Sequence, residues 1–166
     1  MQSVTSTIRT LVTAVLCLGA SAAIAPPAQA QDLSFGLTTD IDTGAFGGVV
    51  EVHGAPVFEQ PNGFSGRWGV AARTDTDGSA WVGAGFVLNL DVGRNAFVEG
   101  SFMPGYYSEG DRPLGGNLHF RSLAGFGWRV SPTGSVVLSL DHISNGGIED
   151  FNPGAETIAL RYRMAF

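Results

Sequence analysis

His142, Ser144 and Glu156 are the residues of this chain best equipped for chemistry, and they fall in one stretch near its C-terminal end. A serine hydroxyl attacks a carbonyl only when a neighbouring base takes its proton. An imidazole serves as that base when a carboxylate fixes its tautomer and stabilises its cation. The three residue types supply those three roles. The turn that follows, Asn145-Gly146-Gly147, can present backbone N–H groups to the oxyanion of a tetrahedral intermediate. Such a constellation cleaves or transfers acyl groups unaided, so neither a metal nor a cofactor is expected. Each residue also has a plainer reading: a loop start at Ser144, an interfacial ring at His142, a rim charge at Glu156. Elsewhere, His53 and His119 have no ligand partners nearby in sequence. Asp75 and Asp77 flank Gly78 as turn residues would, and Tyr106-Tyr107 read as part of an aromatic belt.

The elements that must position these side chains are strands. No stretch keeps a helical period, whereas apolar and small or polar residues alternate between clusters of Gly, Pro, Asn and Asp. Eight such segments are expected, over residues 32–39, about 47–54, 64–73, 80–90, 95–102, 118–130, 135–144 and 156–166. In the sixth, Leu118, Phe120, Ala124, Phe126, Trp128 and Val130 oppose His119, Arg121, Gly125, Gly127 and Arg129. In the eighth, Ile158, Leu160, Tyr162, Met164 and Phe166 oppose Arg161 and Arg163. An even number of short strands with one apolar face and arginines on the other predicts an all-β fold, an eight-stranded antiparallel transmembrane β-barrel of the outer membrane. A soluble sandwich would bury the apolar face instead, and periodicity alone does not separate the two.

Three features favour the membrane. Residues 1–30 read as a cleaved signal peptide: Arg9 is the only charge, an apolar run covers 11–25, and Ala28-Gln29-Ala30 has the small-x-small form that puts cleavage before Gln31. Pro26 and Pro27 end that run too early for a transmembrane helix. Cys17, the only cysteine, leaves with it. The links also alternate: residues 91–94 and 131–134 are tight turns suited to the periplasmic side, while about 103–117 and 145–155 are long, as outward loops are. Finally, apolar or aromatic residues recur at every second position up to Phe166, resembling the C-terminal strand signal of outer-membrane proteins. Residues 31–166 would then form the barrel domain. Its interior has room only for side chains, so Glu51, Glu99 and Asp141 facing Arg67, Arg121 and Arg161 are expected to fill it with paired charges rather than a pore. Charged residues make up 14% of the chain, all nine basic ones are arginine, and the net charge is −6, so no phosphate-neutralising surface exists and nucleic acid is excluded as a partner.

Parity now joins the reactive residues. His142 and Ser144 share a face with Val136, Leu138 and Leu140, and Glu156 shares one with Ile158, Leu160 and Tyr162, so all three should face lipid on adjacent strands. Ser144 lies ten residues beyond Gly134, and Glu156 ten before Phe166. At roughly 2.3 Å of rise per residue along the axis of a tilted barrel, that nearly crosses an apolar band about 25 Å tall. The site is therefore expected at the outer-leaflet boundary. The run His142-Ile143-Ser144-Asn145-Gly146-Gly147, followed after four residues by Asn152-Pro153-Gly154-Ala155-Glu156, resembles the motif of the PagL-type lipid A 3-O-deacylases. That resemblance implies an outer-membrane barrel with a lipid-facing triad of Ser144 as nucleophile, His142 as base and Glu156 as orienting carboxylate. It also implies Asn145 beside the oxyanion hole and Asn152 shaping the loop, while Gly147 belongs to the turn read above as the donor of that hole. Gly146 stands where the family commonly has Ala. The substrate so implied is lipid A, in lipopolysaccharide of the outer leaflet. A phospholipase or acyltransferase using the same serine, and a non-catalytic barrel acting through its loops, remain alternatives. Association into a homodimer is neither required nor excluded.

Overall fold

A computed structural model describes residues 32–166. The proposed signal peptide, with Cys17, lies outside the described residues. Eight strands follow one another without an intervening helix: β1 (Asp32–Asp40), β2 (Phe46–Glu59), β3 (Phe64–Asp75), β4 (Ala80–Asp91), β5 (Ala96–Ser108), β6 (Leu118–Arg129), β7 (Gly134–Ser144) and β8 (Ala155–Ala165). Each pairs antiparallel with its neighbours, and β1 pairs with β8 from Asp32↔Ala165 to Asp40↔Thr157, so the sheet closes. Closure gives every strand a partner on both sides, which a spanning sheet needs where no water can satisfy a free edge.

The outward face is apolar around the circumference: Trp68 on β3, Phe102 on β5, Phe126 on β6, Leu138 on β7 and Leu160 on β8 are all exposed. A water-soluble sandwich would have buried these side chains, whereas the inward face here is polar. Arg121 bridges Glu51 at 2.6 Å and Asp141 at 2.5 Å. Arg161 spans Glu51 and Glu99, each at 2.8 Å, and Arg163 pairs with Glu99. The expected interior ion pairs form with one correction. Arg67 bonds Asp32 at 2.6 Å instead of joining the network, because it follows the β2–β3 turn and so sits at the periplasmic end beside the start of β1.

Beside the charges an apolar cluster of Trp81, Val87, Met103, Leu114 and Ile143 fills the interior. Tyr107 belongs to it, a second correction: Tyr106 faces out as a belt residue should, whereas Tyr107 points inward and donates its hydroxyl to Arg112 O at 2.8 Å. Small residues make this filling possible. A Cβ at Gly127 would fall 2.1 Å from the Phe97 ring, which packs inside the barrel. Two strands run longer than the alternation suggests. β2 continues through Pro56 by shifting register between His53 and Phe58, and β5 carries Pro104 and Gly105 within its pairing to β6.

Candidate active site

β7 and β8 form a hairpin whose register sets His142 directly opposite Glu156. Both side chains stand on the outer face, 45% and 43% exposed, and His142 Nδ1 lies 2.6 Å from Glu156 Oε1. An ionised carboxylate only accepts, so Nδ1 carries the proton and donates it, which leaves Nε2 as the basic nitrogen. Ser144 follows two residues along β7 on the same face and is half-buried. Among the described residues no hydrogen bond joins Ser144 Oγ to His142. The separation of alternate residues on a strand is about 6.6 Å, a gap that side-chain rotation can close, and such contacts commonly tighten only with substrate present.

On its other side Ser144 pairs with Phe120 of β6, whose ring stacks on Phe102 of β5 at a centroid separation of 5.7 Å. Ser144 thus lies between a His–Glu pair and an aromatic shelf. That arrangement can activate a hydroxyl against an ester whose chain runs down the apolar wall.

The turn after Ser144 is held by its own asparagines. Asn145 is fully buried: its Nδ2 donates to Phe151 O at 2.9 Å and Gly115 O at 3.1 Å, and its Oδ1 accepts from Gly147 N at 2.8 Å. Asn152 Oδ1 accepts from Asn145 N at 3.0 Å. These bonds occupy the N–H groups of Asn145 and Gly147, so the sequence expectation of a multi-donor turn narrows. Among the described residues Gly146 N–H has no acceptor in the protein. Gly146 itself has a φ of 67°, a left-handed conformation, and a Cβ there would meet the Phe120 ring at 3.1 Å.

Beneath this turn the β5–β6 loop plugs the barrel mouth with buried Leu114, whose carbonyl accepts from His119 Nε2 at 3.3 Å. Arg112 of the same loop binds Asp40 at 2.5 Å and Asp42 at 2.9 Å. Burial works to lower its pKa, but the hydrogen bonds to Asp42 and Asp40 prevail and raise it, so the group stays cationic. Sequence reasoning gave no role to Arg112, Leu114 or His119. Asp40 and Asp42, the partners of Arg112, lie about seventy positions away in the chain, and no local spacing announces them.

Residues 46–165 match the family model described as lipid A 3-O-deacylase (PagL). The chain belongs to the PagL family. The match spans β2 to β8 and includes His142, Ser144, Asn145, Gly147, Asn152 and Glu156. A lipid A deacylase PagL of Bordetella bronchiseptica is 29% identical over 86 residues, which cover 52% of this chain and 44% of that protein. The chain therefore aligns with less than half the length of that PagL relative. Among solved structures, the crystal structure of the outer membrane enzyme PagL is similar at a TM-score of 0.67 and 21% identity, covering 80% of this chain and 98% of that one. A de novo designed transmembrane β-barrel reaches a TM-score of 0.59 at 11% identity, covering 85% and 98% respectively. Likeness at such low identity concerns the barrel, and it agrees with the lipid-facing belt: this PagL family member is an outer-membrane β-barrel.

Proposed function

We propose that the protein is an ester hydrolase that removes the acyl chain at the 3-position of lipid A within the outer leaflet. The observation that carries this reading is the His142–Glu156 contact of 2.6 Å on the lipid-facing side, with Ser144 two residues beyond it. Ser144 Oγ attacks the ester carbonyl while His142 Nε2 takes its proton, and Glu156 holds Nδ1–H and stabilises the imidazolium. Gly146 N–H supports the developing oxyanion, and Asn145 and Asn152 act by fixing that turn. Collapse returns the proton from His142 to the sugar oxygen, which leaves as an alcohol. Water, deprotonated by the same imidazole, then releases a hydroxy fatty acid and restores Ser144. No step draws on a metal or cofactor.

The Phe102–Phe120 shelf supports the lipid assignment, because an acyl chain can lie against it without leaving the membrane. Residues 1–30 serve export in the same reading, with the mature chain starting at Gln31. Purified protein presented with lipid A and with glycerophospholipid in mixed micelles tests the substrate class. Release of hydroxy fatty acid from lipid A supports the reading, and products from phospholipid alone overturn it.

A further inference from the structure

We propose that Arg112, in the loop between β5 and β6, is a positioning residue for the His142–Glu156 pair that acts through the backbone of Gly154. The inference rests on the ester-hydrolase reading above. Arg112 is the only basic residue in the loops at the extracellular end. Its own carbonyl is pinned to the barrel wall by the Tyr107 hydroxyl. Its guanidinium uses Nη1 on Asp40 and Nη2 on Asp42, and Nη2 also donates to Gly154 O at 3.2 Å. Asp40 is in turn held by Asp42 N and Thr43 N, both at 2.9 Å on Oδ1. The fork is therefore anchored before it reaches Gly154.

Gly154 is the residue through which such an anchor reaches the imidazole. Its φ of 71° lies in the left-handed region, and a Cβ there would stand 3.0 Å from His142 Cε1. The backbone of Gly154 thus backs the imidazole edge and limits how far the ring can swing away from Glu156. The same β1–β2 loop holds Glu156 directly, since Ile41 N donates to Glu156 O at 2.9 Å. One loop consequently reaches both members of the pair, Glu156 through its backbone and His142 through Arg112 and Gly154. Partly exposed ion pairs add little to stability, whereas a small displacement of a catalytic group costs much in rate. A contact of this kind is therefore expected to show in turnover.

The test measures acid release from lipid A in micelles, with the folded fraction of each protein taken from its heat-dependent gel shift. Arg112→Ala should lower kcat per folded barrel about tenfold with KM within about twofold, since the group positions a catalytic side chain without touching substrate. Arg112→Lys should recover part of the loss, and free guanidinium ion should partly rescue the Ala variant. Unchanged kcat per folded barrel, or a loss confined to KM, overturns the inference. If Arg112→Ala does not fold, Asp42→Asn carries the same test: a kcat reduced about threefold supports the role, and an unchanged one overturns it. A wild-type protein that releases no acid removes the ester-hydrolase reading and this inference with it, whereas an active wild type beside an unaffected Arg112→Ala removes this inference alone.

Discussion

Ser144 and His142 stand on the barrel surface, half-buried or exposed, so removing their functional atoms leaves interior packing untouched. Ser144→Ala and His142→Ala should each lower turnover at least about a thousandfold while the barrel still folds, and the double variant should be hardly worse than either alone, because a nucleophile and its base act as one unit. Independent, multiplying losses in a steady-state assay would mean that these residues bind lipid without cleaving it. Glu156→Ala should lose less, since water replaces part of what an orienting carboxylate does. Asn145→Ala has a different expected origin of harm. The side chain is committed to Phe151 O, Gly115 O and Gly147 N, so its loss removes three partly buried hydrogen bonds worth about 0.5 to 1.5 kcal/mol each and loosens the turn that carries Gly146. Thermal melting of the folded protein should fall along with its activity.

At the level of the strands, two exterior substitutions and one interior substitution separate what each face contributes. Leu138→Arg or Phe126→Arg puts a charge against hydrocarbon and should impair assembly by about 2 to 4 kcal/mol, read as the folded fraction after refolding into detergent. Unchanged folding would reverse the assignment of faces. Arg161→Met removes the cation shared by Glu51 and Glu99, and should destabilise by about 3 to 5 kcal/mol because two buried carboxylates lose a partner. Both faces were legible from alternation, and so was the juxtaposition of His142 with Glu156, since period-two parity and a hairpin register settle which residues meet. The ends of β2 and β5 were not. Pro56 and Pro104 read locally as strand breakers, yet a register shift at Pro56 and continued pairing around Pro104 absorb them. The partner of Arg67 and the inward turn of Tyr107 were equally hidden, because height along the barrel depends on where a strand starts. The clamp of Arg112 on Asp40 and Asp42 joins residues about seventy positions apart, and no sequence spacing encodes it.

For the whole molecule, closure of the sheet and an outward apolar belt around a charged interior describe a barrel whose stability in detergent comes from a continuous ring of strand pairing. Unheated protein should migrate apart from boiled protein on a gel, and its circular dichroism should be that of strands; a spectrum dominated by helix would contradict the fold. The acidic chain carries a net charge of −6, and the apolar side chains of its outward belt face lipid. In the proposed reaction this barrel cleaves one ester of lipid A through Ser144. Mass spectrometry of lipid A from cells expressing the wild-type protein or its Ser144→Ala variant, both confirmed as folded barrels, tests it most directly. Lipid A lacking one hydroxyacyl chain at the 3-position is expected with the wild type, and intact lipid A with the variant. Intact lipid A in both, or equal trimming by both, would contradict it.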